Sequence, residues 1–130
     1  MSEVEIKEEK DILIARQAAR EAAQSVGFGI VDQTRLITAV SELTRNAYKY
    51  AGGGRMTLKK IEKDRKNGLM VTVIDWGPGI ANIRRAMEDG YTTGDGFGNG
   101  LGGAKRLVDE FTIHSKVGKG TKIVIIKWQH

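Results

Sequence analysis

The chain has 130 residues, 40% hydrophobic and 28% charged, with a formal net charge of +5 and no cysteine. That length buries a real core and suits one domain spanning 1–130, while disulfides and thiolate metal sites are excluded. The charged start MSEVEIKEEKD lacks an apolar leader, and no apolar run approaches the roughly 18–20 residues of a membrane span. The expectation is a cytoplasmic protein that works without a membrane.

Basic residues are scattered, apart from KDRK at 63–66, which reads as a solvated loop; nucleic acid is not expected as a partner. Glycine is the anomaly. There are 17, six of them within 94–103, and the single proline, Pro78, sits in a second glycine cluster.

In chain order, residues 4–7 suit a short edge strand. A helix follows over 11–27, with Asp11 as N-cap, Gly27 as C′, and Ile12, Ala15, Ala19, Ala22 and Val26 at helical spacing. A second helix over 32–52 carries the strongest stripe, Leu36, Val40, Leu43, Ala47 and Tyr50. Strands over 55–62 and 69–75 are joined by the charged loop, with Asn67-Gly68 as the turn signal. A short helix over 80–89, a glycine-rich loop over 90–100 and a helix over 101–110 come next. Strands over 111–116 and 121–128 close a hairpin around Gly118-Lys119-Gly120. The fold class is α/β, an α+β two-layer sandwich whose mixed, mostly antiparallel sheet is covered on one face by helices.

Three stretches carry chemistry. On the second helix Glu42 and Asn46 are four residues apart, so they share a face at the edge of the buried stripe. An amide oxygen suits a hard cation such as Mg²⁺, and a nearby carboxylate can take a proton from a nucleophile. Taken alone, the pair is equally a half-exposed helical pair without a role. The second stretch is Asp75-Trp76-Gly77-Pro78-Gly79-Ile80. Alternation puts Asp75 on the same side as Leu69, Val71 and Val73, where a carboxylate needs a donor such as the amine of adenine. Gly77 and Gly79 would let the backbone approach the base; a simple turn with a capping aspartate is the alternative. The third stretch, GDGFGNGLGG at 94–103, exposes successive N–H groups ahead of a helix N-terminus and can cradle phosphates, where the plain alternative is a linker.

Better-known glycine motifs fail on context. Gly98, Gly100 and Gly103 match G-x-G-x-x-G, but a loop precedes them where a dinucleotide fold needs a strand, and 115–125 holds no acid for a ribose. A P-loop needs Gly-Lys followed by Ser or Thr, and Gly103-Ala104-Lys105-Arg106 has neither.

The order ExxxN, DxGxGI, GxGLGG and GxGT, at 42–46, 75–80, 98–103 and 118–121, resembles the GHKL ATP-binding superfamily. Longer stretches, FGIVDQTRLITAVSELTRNAYKYAG, GPGIANIRRAMEDGYTTGDGFGNGLGGAKRLVDEF and GTKIVIIKW, are similar to the bacterial stressosome switch kinases, serine/threonine-protein kinases related to anti-sigma factors. The resemblance implies an ATP pocket between sheet and helices and a kinase that phosphorylates a serine or threonine of a STAS-type antagonist. A downstream phosphatase or other output enzyme is a further implied partner. Carried onto this chain, Asn46 would hold Mg²⁺ and Glu42 would be the general base. Asp75 and Thr121, with Gly77, Gly79 and Ile80, would hold adenine. Gly98, Gly100, Leu101, Gly102 and Gly103 would hold the phosphates. Trp76 departs from the small or polar residue usual at its place.

The acceptor follows from what the chain contains. His114 and His130 read as surface residues, so transfer to a histidine of this chain is not expected. The rival reading is a nucleotide-dependent binding module, an anti-sigma factor or phosphatase activator, with little catalysis. Lys105 and Arg106 suit either a phosphate or the solvated face of a helix.

Overall fold

The computed structural model describes residues 2–88 and 100–130. Its strands are β1 (Ser2–Ile6), β2 (Gly54–Lys63), β3 (Lys66–Asp75), β4 (Glu110–Lys116) and β5 (Gly120–Trp128). They form one sheet in the order β1-β2-β3-β5-β4. All four pairings are antiparallel, so the sheet has no parallel pair among the described residues where a mixed one was expected. The helices are α1 (Lys10–Ser25), α2 (Ile30–Ala51), α3 (Ile83–Ala86) and α4 (Gly100–Leu107). None is long and apolar enough to cross a membrane.

The two long helices owe their place to what they bury. α1 turns Ile12, Ala15, Ala19 and Ala23 inward, and α2 turns Leu36, Val40, Leu43 and Ala47 inward. The sheet answers with Met56, Leu58, Leu69, Val71, Val73, Ile123 and Ile125 in one core. Each buried Leu, Ile or Val contributes about 1.5–3 kcal/mol. α2 ends in a left-handed cap: Gly52, at φ 76°, donates its N–H to Tyr48 O, and Gly53 N–H reaches Ala47 O. Tyr50 leaves the expected stripe and is 42% exposed, because the last turn of α2 runs past the core.

The α1 N-terminus also differs from expectation. The helix starts at Lys10, and the Asp11 carboxylate accepts the N–H groups of Lys7 and Glu8 in the turn before it. The β2–β3 turn is Asp64-Arg65, both at positive φ as a two-residue hairpin requires, with Lys63 opposite Lys66. Asn67-Gly68 lies inside β3 instead. Gly68 is a packing residue: a Cβ there would stand 2.6 Å from the Trp128 ring.

The end of β5 departs most from the sequence reading. Lys127 is nearly fully buried, its Nζ 3.1 Å from Asp32 Oδ1 and 3.5 Å from Asp109 Oδ2. His130 is no bystander: its N–H donates to Asp32 Oδ2, and its Nε2 lies 3.2 Å from Asp109 Oδ1. Burial pushes the Asp109 carboxyl up, but the Trp128 N–H, His130 and Lys127 together hold it below the usual aspartate value. The cluster ties the first turn of α2 to the segment after α4 and to the C-terminal strand. Removing one partner strands a buried charge, so Lys127→Met should lower unfolding free energy by about 3 kcal/mol in urea denaturation. A loss below about 0.5 kcal/mol, the usual size of a surface substitution, would show that the clamp carries no weight.

Candidate functional site

The site begins with the alternation of β3. Leu69, Val71 and Val73 are buried, and Asp75 ends their row half-buried at the last position of the strand. Its Oδ1 accepts the Gly77 N–H at 3.0 Å. Burial pushes the Asp75 carboxyl above its usual range, and the backbone N–H groups of Gly77 and Thr121 pull the other way without cancelling the effect. A half-buried carboxylate at the head of a cavity is a strong acceptor looking for a donor.

Cross-strand register places the partners. Asp75 lies opposite Thr121, and Thr121 lies opposite Ser115, so three polar side chains span β3, β5 and β4 in one row. Ser115 Oγ accepts the Ile80 N–H at 2.8 Å and sits 3.0 Å from Gly120 O and 2.8 Å from Thr121 Oγ1. When Ser115 donates to Gly120 O, the Thr121 hydroxyl donates to Ser115 and keeps its lone pairs for a ligand. Ser115 was missed in the sequence; counting back from the 118–120 turn finds it opposite Thr121.

The loop after β3 is folded onto the protein by its glycines. A Cβ at Gly77 would lie 2.3 Å from Ala51 Cβ, and one at Gly79, where φ is 76°, 2.1 Å from Lys116 O. The Gly118 N–H donates to Pro78 O, tying the loop to the β4–β5 turn. Both glycines have a packing reason in the fold itself. Gly77 lets the loop meet α2 and lies outside the cavity lining; Gly79 is in the lining, but its missing side chain makes room for β4.

Between sheet and helices lies a cavity of about 420 Å³, a size suited to a small ligand. Glu42 and Asn46 of α2, Asp75 of β3 and Thr121 of β5 all line it. So do Gly79 and Ile80 of the loop and Gly100 and Leu101 of α4. Leu43, Ala47, Val73, Ala86 and Ile123 supply apolar walls, and Arg45 and Lys49 add cationic ones. Glu42 is only 6% exposed. The three stretches singled out in the sequence thus meet in one place, although Gly98 and the 90–99 part of the loop lie outside the described residues.

Gly102 and Gly103 are buried in the first turn of α4 and are not in the lining. Their relevance would be through the backbone, since the first N–H groups of a helix have no partner within it. Lys105 and Arg106 stand in the last turn, and Arg106 lines a second hollow with Asp32 and His130. That position is at the end of α4 away from the cavity, so a phosphate contact by Arg106 does not fit.

Residues 31–129 match the family model for histidine kinase-, DNA gyrase B-, and HSP90-like ATPases. The chain is 50% identical to Serine/threonine-protein kinase RsbT of Bacillus subtilis, over 96% of this chain and 94% of that protein. It is 37% identical to Anti-sigma F factor of Clostridium acetobutylicum, over 68% of this chain and 65% of that protein. In fold it is similar to the RsbU and RsbW domains of Rv1364c from Mycobacterium tuberculosis, with a TM-score of 0.66 at 20% identity, covering 98% of this chain and 32% of that one. The chain belongs to the histidine kinase-, DNA gyrase B- and HSP90-like ATPase family.

Proposed function

We propose that residues 1–130 form one ATP-binding domain, a cytoplasmic protein-serine/threonine kinase that acts as a switch in stress signalling. Its substrate would be a serine or threonine of a STAS-type antagonist. The observation that carries the reading is the convergence of Glu42, Asn46, Asp75, Thr121 and the α4 N-terminus on one cavity.

In this reading Asp75 accepts the adenine amine and Thr121 supports the same edge of the base. The first-turn N–H groups of α4, from Gly100 through Gly103, donate to phosphate oxygens. Asn46, whose amide oxygen suits a hard cation, would hold Mg²⁺. When bound, the metal would neutralise phosphate charge. Glu42 orients the acceptor hydroxyl and takes its proton as the hydroxyl oxygen bonds to the γ-phosphorus and the bond to the β-phosphate oxygen breaks, releasing ADP. Similarity to an anti-sigma factor favours a second reading, nucleotide-dependent sequestration of a partner with little catalysis.

Label transfer from [γ-³²P]ATP to a co-purified STAS-type partner separates the two readings. Glu42→Gln should cut transfer by about 10²–10⁴-fold with ATP affinity unchanged. Transfer as fast as in the native chain would remove Glu42 as the base.

Asp75→Asn presents an amide donor to the adenine amine. It should weaken ATP binding by about ten- to a hundredfold, the worth of a charge-assisted hydrogen bond, in calorimetry. The same change has a pH signature. Because the folded Asp75 pKa lies above its unfolded value, the folded state holds the extra proton, and nucleotide-free stability falls as pH rises through it. Asp75→Asn should therefore melt no lower than the native chain at neutral pH. A clear drop in Tm would mean that Asp75 serves the fold and not the ligand.

A further inference from the structure

The helices pack on one face of the sheet, and register defines the other. With Met56, Leu58, Leu69, Val71, Val73, Ile123 and Ile125 inward, alternation turns Ile61, Met70, Ile74, Val124, Ile126 and Trp128 outward. Five of them form a stripe along β3 and β5, with Ile61 of β2 beside it, and no described helix covers it. From the Ile74 row to the Trp128 row the stripe is about 20 Å long, the length of a helix of about 13 residues.

Charge around the stripe is lopsided. The acids on this face are engaged: Glu3 and Glu5 pair with Arg55 at 3.2 and 2.6 Å, and Glu110 accepts the Trp128 indole N–H at 3.3 Å. Lys59, Lys63, Lys66 and Lys122 point to the same face by register, and no carboxylate lies within ion-pair distance of them among the described residues. Arg55 also lies 5.8 Å from the ring of Trp76, which is 66% exposed and extends the apolar surface beyond β3.

A second copy is a poor occupant, because face-to-face pairing would bring the lysine rims together. Single-stranded nucleic acid is also disfavoured. A stacking platform needs open aromatic faces at the sheet centre; here the centre is aliphatic and the Trp128 ring lies against Gly68. We propose that the uncovered sheet face docks an amphipathic helix of a partner protein, apolar along one side and carboxylate-bearing on its flanks. This surface is separate from the nucleotide cavity, so it stands or falls independently of the kinase reading.

The test is site-specific photocrosslinking in the native cell, with the crosslinking amino acid in place of Thr72 at the centre of the face, and sequencing of the crosslinked peptide. The expected adduct is a segment with apolar residues at helical spacing and a net negative charge. Lys59→Glu with Lys122→Glu should reduce its yield about tenfold by like-charge repulsion. Tm and ATP affinity of that double variant should match the native chain, which separates lost docking from lost folding. A basic or non-amphipathic segment, a second copy of this chain, a nucleic acid adduct, no adduct, or a yield indifferent to charge reversal would each overturn the proposal.

Discussion

A carboxylate that closes a row of core side chains must be met by donors, and much of this structure is arranged around that requirement at Asp75. Leu69, Val71 and Val73 are almost fully buried, and the next residue on their side of β3 is the acid. Gly77 can bring its N–H back to Asp75 only because its bare Cα fits against Ala51. Gly120 can lie beside Asp75 only because it has no Cβ, which would stand 2.1 Å from the Asp75 carbonyl oxygen. The carboxylate thus accounts for Gly77, the Asp75 backbone for Gly120, and the row continues from Asp75 through Thr121 to Ser115. Burial outweighs the Gly77 and Thr121 N–H groups and leaves the carboxyl above its usual range. A group held at a cost to the empty fold is what a site waiting for a ligand looks like.

The helical layer completes the cavity from the other side. α2 is long enough to bury Leu36, Val40 and Leu43 under the sheet and still bring Glu42 and Asn46 to the cavity wall. α4 packs its glycine-rich first turn into the same layer, so its N-terminus opens beside the residues that α2 supplies. At its other end, Asp109 joins Lys127, Asp32 and His130 in a clamp. A short helix fixed at its tail and glycine-rich at its head suits a part whose position matters more than its own stability.

Periodicity made most of the architecture legible. The stripes of α1 and α2, the alternation of β3 and the hairpin around Gly118 each state a period that the core then uses. The failures have separate physical causes. Asn67-Gly68 looked like a turn because the pair has the right residues for one, but Trp128, distant in sequence, claims the space above Gly68. Lys127 and His130 gave no local sign of burial, because their partners Asp32 and Asp109 lie 95 and 18 residues from Lys127 and only the fold brings them near. Ser115 is one serine in a strand until register puts it across from Thr121. In the site, the order of motifs pointed to Glu42, Asn46, Asp75, Gly79, Ile80, Gly100, Leu101 and Thr121, all of which line the cavity. Gly77 lies in the same loop, packed against Ala51 and outside the lining.

The account rests on a carboxylate reading an exocyclic amine, and guanine carries an oxygen where adenine carries that amine. Titration calorimetry of the nucleotide-free chain with ATP and with GTP tests this directly. ATP should bind, and GTP at least about a hundredfold more weakly, because its oxygen would face the Asp75 carboxylate with no proton between them. Equal affinity for the two nucleotides would contradict it.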